Sequence, residues 1–131
     1  MKTKDKVEPC EPGLHVPFMG HFLTYDDQVN QLVAVLMKDA HSVAVKSDLF
    51  YDKKTNGDHI ASMHNEVSHL LEALKCANLP SENIPEFTKV EEAAADVMIK
   101  LLDWSEARRL KLSEALLAKM KFNKGQIKTK R

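Results

Sequence analysis

The sequence predicts an all-α protein, a bundle of about four helices that oligomerisation completes. Two long segments, residues 60–77 and 89–104, repeat apolar residues at helical spacing beside acidic residues. Ala, Leu, Lys and Glu are abundant, whereas the 131 residues include only 4 glycines and 6% aromatic residues, which is typical of helical proteins. A chain of this length forms one domain, and its broad apolar faces favour burial against a second copy.

Charge and cysteine content narrow the class of protein. The 19 basic and 19 acidic residues cancel, so no net charge points to a nucleic-acid partner. No apolar run approaches the roughly 20 residues of a membrane span, and residues 1–13 lack the apolar core of a signal peptide. Two cysteines are too few for a disulfide framework. We therefore expect a cytoplasmic protein that binds neither a membrane nor nucleic acid.

Three regions are expected along the chain. Residues 1–22 hold three of the five prolines and predict an irregular arm, either packed on a neighbour through its apolar residues or partly ordered. Residues 23–124 form the predicted helical domain, and residues 125–131 a basic C-terminal tail.

The first helix is expected to begin after the N-cap Thr24 and to run to about Val45. The residues that follow predict a loop or short turn, punctuated by residues 56–57, an Asn-Gly pair. Residues 49–51 form a small apolar and aromatic cluster there. Such a cluster either seals a core or walls a nucleotide-base pocket.

The second helix is expected from about Asp58, its predicted cap, to Ala77, and two prolines follow it. Thr88 is the predicted cap of a third helix that ends near Arg108, and residues 112–123 form the last amphipathic stretch.

Carboxylates on the second and third helices are the main functional signal. If the two helices pack as an antiparallel pair, Glu66 and Asp96 can approach each other across the seam. Carboxylates that project from facing helices can hold a divalent metal, although acidic residues at helical spacing can also form a solvated face. Glu92, Asp96 and Asp103 form an acidic row on the third helix, apart from its apolar face. The predicted apolar faces are Ile60, Met63, Val67, Leu70, Leu71 and Leu74 on the second helix and Val90, Val97, Leu101 and Trp104 on the third.

Three stretches, HNEVSHLLEALK, PSENIPEF and VEEAAADVMIKLLDWSEARRLKLSEALLAKMKFN, together resemble the MazG-like nucleoside triphosphate pyrophosphohydrolases. The similarity extends from about Ala40 to Asn123 and includes the order of the stretches, the loop length and a Lys-x-x-x-Asn near the end. It implies an all-α, oligomeric enzyme that hydrolyses an NTP or dNTP to a monophosphate and pyrophosphate, a house-cleaning activity. The expected cofactor is Mg²⁺.

The family's metal motif, Glu-x-x-Glu followed by Glu-x-x-Asp, is incomplete in this chain. Glu66 and Asp96 match it, whereas His69 and Ala93 stand where the family has glutamates. The resemblance therefore implies Glu66 and Asp96 as catalytic residues, with Glu66, His69, Glu92 and Asp96 as candidate metal ligands. Imidazole suits Mn²⁺ or another softer metal better than Mg²⁺. A further possibility is that His69 is a surface residue filling a vacated position.

Three further residues are candidates for phosphate binding: Lys100, near Asp96, and the matching pair Lys119 and Asn123. Two hypotheses follow for the whole chain. One is a pyrophosphohydrolase with an altered metal site, acting as a homodimer or homotetramer. The other is a catalytically inactive relative that serves as a nucleotide-binding or protein-interaction module.

Other potentially reactive residues have simpler interpretations. Cys76 is expected to be a buried small residue rather than a nucleophile. Trp104 is expected in the core, and Asp103 with Lys100 on the helix surface. The histidines other than His69 show no spacing that indicates a site.

Overall fold

The computed structural model describes residues 23–76 and 79–129, and this part of the chain is all-α. The helices are α1 (Tyr25–Ser47), α2 (Asn56–Leu74), α3 (Lys89–Ala107) and α4 (Leu112–Thr129), with a 3₁₀ turn at Tyr51–Lys53. The predicted bundle of about four helices is confirmed. The predicted arm, residues 1–22, lies outside the described residues, as does Ala77, the expected end of the second helix.

Three helices begin with the same capping box. Thr24, Thr55 and Thr88 each accept a hydrogen bond from the backbone N–H three residues later, and the acidic residue at that position accepts one from the threonine backbone. The predicted caps of α1 and α3 are thus confirmed. The predicted cap of α2 was wrong, because Thr55 is the cap and Asp58 is the third residue of the helix.

The predicted turn at residues 56–57 and the predicted tail at residues 125–131 also differ from the structure. The Asn-Gly pair at residues 56–57 lies in the first turn of α2, where the Thr55 capping box stabilises the helix start. Gly125 lies inside α4, which continues to Thr129 through most of the predicted tail. A single glycine costs only about 1 kcal/mol in a helix. Gly125 is also flanked by Lys124 and Gln126, which favour helix, so α4 continues past it.

α3 ends in a Schellman motif. The N–H of Leu110 donates to the carbonyl of Ser105, and the N–H of Arg109 donates to that of Glu106, both at 2.9 Å. Arg109 has a φ of 52°, the left-handed conformation that glycine adopts without strain.

α3 is the central helix, because it packs against both α1 and α2, while α4 packs on α1. α2 and α3 run antiparallel. Asn56 at the start of α2 accepts a hydrogen bond from Trp104 near the end of α3 at 3.3 Å. Further along α2, Glu66 lies near Asp96, which comes before Trp104 on α3. The predicted approach of Glu66 and Asp96 across the seam follows from this pairing.

The hydrophobic core of a single chain is small. Among the described residues, the buried apolar side chains are Met37, Ala93, Leu102 and Leu117, and α2 contributes none. The predicted faces are therefore only partly correct: Leu71 of α2 is 64% exposed, and α3 buries Leu102 rather than Leu101. Exposed apolar side chains lie along α2, namely Ile60, Val67, Leu71 and Leu74.

Candidate functional site

Glu66 and Asp96 form a pair of carboxylates at the α2–α3 seam. Asp96 is exposed, yet partial desolvation of its carboxyl raises its pKa, and the negative charges of Glu66 and then Glu92 raise it further. Two neighbouring negative charges attract a cation, because a cation between them offsets their repulsion. This arrangement carries the metal-binding hypothesis.

His69 faces Glu66 on the same helix. Its Nδ1 lies 3.2 Å from the Glu66 carboxylate, and its side chain is 59% exposed. The imidazole therefore contacts Glu66 from the solvent side. This exposure favours the interpretation of His69 as a surface residue.

Glu92 is engaged elsewhere. Its carboxylate accepts hydrogen bonds from the hydroxyl of Ser81 at 2.5 Å and the amide of Asn83 at 2.6 Å, and these bonds lower its pKa. The buried Ser81 also accepts the backbone N–H groups of Asn83 and Ile84, both at 3.1 Å. Glu92 thus anchors the loop between α2 and α3, a role that sequence reasoning missed.

The four candidate ligands do not form one cluster. Within residues 23–76 and 79–129, no three His, Cys, Asp or Glu side chains are close enough to hold a metal together. Ala93, at the position of the family's missing glutamate, is packed into the bundle. The remaining pair still fits Mg²⁺, which commonly binds one or two carboxylates and fills its shell with water and substrate phosphate oxygens.

The predicted phosphate-binding residues fall into two places. Lys100 lies one helical turn after Asp96 and is half-buried, and its ammonium group makes no ion pair with any described residue. Lys119 and Asn123 lie on α4, which packs on α1 rather than on the α2–α3 pair. The ammonium group of Lys119 lies 4.6 Å from the ring centre of Phe122. A single chain therefore brings Lys100, but not the α4 residues, towards the carboxylate pair.

A second cluster surrounds Asp103, which is only 5% exposed. Its Oδ1 accepts hydrogen bonds from the hydroxyl of Tyr51 at 2.6 Å and from Nδ1 of His41 at 2.9 Å. Burial raises the pKa of Tyr51, and the hydrogen bond to the Asp103 carboxylate raises it further. The prediction of a surface Asp103 was wrong, because α1 and the 3₁₀ turn cover it.

The predicted aromatic cluster at residues 49–51 is also divided. Leu49 is 94% exposed and Phe50 is exposed too, so neither seals the core, whereas Tyr51 turns inward to Asp103. The sequence did contain a signal for this cluster. Asp103 interrupts the apolar run Leu-Leu-Asp-Trp, and an acid within such a run is a candidate for a paired, buried carboxylate.

A polar pocket of about 70 Å³ opens beside this cluster. Its walls include Tyr51, His59, Ser62, Lys100 and Asp103, and an ion pair between Asp48 and Lys54 borders it. Because Lys100 also lies next to Asp96, the pocket and the carboxylate pair occupy adjacent stretches of the same seam.

The two remaining predictions about single residues have different outcomes. Trp104, which was expected in the core, is only half-buried, and it donates its indole N–H to Asn56. Cys76 is exposed, so the prediction of a buried cysteine was wrong, because the chain leaves α2 before it.

In the described part of the chain, no helix combines the length and the apolar character needed to cross a lipid bilayer. Comparisons with family models, with curated proteins and with solved structures found no significant match to this chain.

Proposed function

We propose that this protein is a nucleoside triphosphate pyrophosphohydrolase of the MazG-like type, with its reaction centre at the α2–α3 seam. Water would attack the phosphoanhydride between the α and β phosphates, giving a nucleoside monophosphate and pyrophosphate. The observation that carries the proposal is the facing pair Glu66 and Asp96, with the ammonium group of Lys100, which forms no ion pair among the described residues, one turn away.

Each of these side chains has a defined role in the proposal. Glu66 and Asp96 would hold a divalent ion, which when bound polarises the phosphoryl oxygens. His69 keeps the Glu66 carboxylate in place through their 3.2 Å hydrogen bond. Lys100 offsets the negative charge of the triphosphate, and the half-buried position of its side chain limits the entropy lost on binding.

A homodimer or homotetramer is part of the proposal. The exposed apolar side chains of α2, with Leu71 at 64% exposure, leave a face that a second copy would cover. Lys119 and Asn123, remote from the seam within one chain, would contact phosphate across such an interface. Leu71→Glu should shift the protein to monomer in sedimentation, whereas Leu49→Glu, a change at a still more exposed leucine before the 3₁₀ turn, should leave the assembly unchanged.

A non-hydrolysing nucleotide-binding protein is the second candidate. It is favoured by the chain having two of the family's four carboxylates, with Glu92 committed to Ser81 and Asn83.

Pyrophosphate release from a panel of NTPs and dNTPs, with Mg²⁺ and then Mn²⁺, separates the candidates. We expect release that Glu66→Gln abolishes and that Glu72→Gln preserves, because Glu72 lies on the same helix but pairs only with Lys75 at the surface. Release that survives in Glu66→Gln would refute the assigned centre. Saturable nucleotide binding without release would establish the second candidate, and neither binding nor release would refute both.

A further inference from the structure

We propose that the pocket beside Asp103 receives the Watson–Crick edge of the nucleotide's base and selects a base whose edge carries an exocyclic amine next to an unprotonated ring nitrogen, as in cytosine and adenine. This inference deepens the proposed function and rests on it for the presence of a nucleotide. It rests on its own evidence for the identity of the base, namely the hydrogen-bonding groups that the pocket leaves unsatisfied.

Asp103 provides the selective group. Its Oδ1 already accepts two hydrogen bonds, from Tyr51 and His41, and this uses its acceptor sites. Its Oδ2 makes no hydrogen bond to any described residue, although the side chain is 93% buried and lines the pocket. A carboxylate oxygen is an acceptor only, and Oδ2 meets the open space of the pocket rather than a described residue. The pocket therefore favours a ligand that brings an N–H donor to Oδ2.

Two histidine rings pack against Tyr51, the residue that donates a hydrogen bond to the Asp103 carboxylate. The Tyr51 ring centre lies 5.4 Å from that of His41 and 5.1 Å from that of His59. Because Tyr51 and His59 also line the pocket, their rings supply the flat, partly apolar wall that a base needs. The hydroxyl of Ser62, which makes no hydrogen bond to the described residues, can donate to the ring nitrogen beside the amine.

The pocket lies at a suitable distance from the carboxylate pair. Asp103 follows Asp96 by seven residues, which is about 10 Å along the helix axis at 1.5 Å per residue. Lys100 lies between them on the same side of α3. A nucleotide lying along α3 would therefore place its phosphates at Glu66 and Asp96 and its base at Asp103.

Other bases fit these groups poorly. Uracil and thymine present a carbonyl oxygen where cytosine has its amine, and that oxygen would face the Asp103 carboxylate without a proton between them. Guanine offers two adjacent N–H groups that a carboxylate binds with both oxygens, but Oδ1 of Asp103 is already occupied.

Calorimetric binding of α,β-methylene analogues, which cannot be cleaved at this bond, tests the inference. With Mg²⁺ present, we expect the analogue of dCTP or dATP to bind about tenfold more tightly than those of dUTP and dGTP. The dCTP and dATP arms show which of the two amino bases the pocket accepts.

Asp103→Asn should reverse the preference. Tyr51 and His41 would retain the amide oxygen at the Oδ1 position, so the amide NH₂ would face the pocket and donate to a carbonyl. The variant should then bind the dUTP analogue more tightly than the dCTP analogue. Asp96→Asn is the matched control, since it should weaken all four analogues equally and keep the order of preference.

Equal affinities of the wild-type protein for the dCTP and dUTP analogues, within threefold, would overturn the inference, and this measurement does not depend on the folding of any variant. An unchanged preference in a folded Asp103→Asn variant would overturn it as well, as would failure of all four analogues to bind. Pyrophosphate release without base preference would remove the inference and leave the proposed function. Base-selective binding without pyrophosphate release would keep the inference, remove the proposed hydrolysis and leave a nucleotide-binding protein.

Discussion

Replacing Tyr51 by phenylalanine removes one hydroxyl and tests the Asp103 cluster directly. The hydroxyl donates to the buried Asp103 carboxylate at 2.6 Å, and after its removal His41 is the one donor to that carboxylate left among the described residues. A hydrogen bond to a charged group contributes about 1.5–3 kcal/mol, and the lost donor is not replaced by bulk water at a site that is 5% exposed.

We therefore expect Tyr51→Phe to lower the free energy of unfolding by about 2 kcal/mol. For a domain of this size, the same change lowers Tm by roughly 6–10 °C. Urea unfolding and thermal unfolding, followed by circular dichroism at one fixed protein concentration, measure both quantities. The fixed concentration matters because an oligomer's stability depends on it.

Tyr25→Phe is the matched control, because Tyr25 is 67% exposed and its hydroxyl makes no hydrogen bond to the described residues. The control should change the free energy of unfolding by less than about 0.5 kcal/mol. If the two variants agree within that margin, the Tyr51 hydroxyl does not stabilise a buried carboxylate, and the argument for an oriented Asp103 fails with it.

Four further predictions test other parts of the molecule. Alkaline titration of native tyrosinate absorbance should show Tyr51 staying protonated at pH values above 10.0, the ordinary tyrosine pKa, because burial and the Asp103 carboxylate raise its pKa. The stabilisation from this raised pKa should be complete below pH 10.0 and be lost as the pH rises above it. Ser105→Ala should raise the free energy of unfolding by about 1 kcal/mol in urea titration, since its buried hydroxyl has no partner in the described part of the chain. Ser81→Ala should lower it by about 2–3 kcal/mol, because three hydrogen bonds of the α2–α3 loop are lost together. Arg109→Gly should raise Tm by a few degrees, a gain of about 1 kcal/mol, through relief of the positive φ.

Local chemistry explains why the helices could be predicted. The capping threonines Thr24 and Thr88 satisfy N–H groups within three residues, so their effect requires no tertiary contact. The same rule identifies Thr55 in retrospect, where the Asn-Gly pair was a misleading signal.

The approach of Glu66 and Asp96 was predicted on the condition that the two helices pack as an antiparallel pair, and the structure meets that condition. The competing engagement of Glu92 could not be predicted. Its partners Ser81 and Asn83 lie in an irregular loop, and loop geometry follows from packing rather than from periodicity.

The sequence by itself determined the all-α class and the approximate helix boundaries, because capping and apolar periodicity act over a few residues. Only the tertiary structure decided that Asp103 is buried between Tyr51 and His41, which lie 52 and 62 residues away along the chain. Helical periodicity places an acid on a face but does not say which neighbour covers that face. The cover over Asp103 depends on how α1 and the 3₁₀ turn pack against α3, and that packing is a property of the folded chain as a whole.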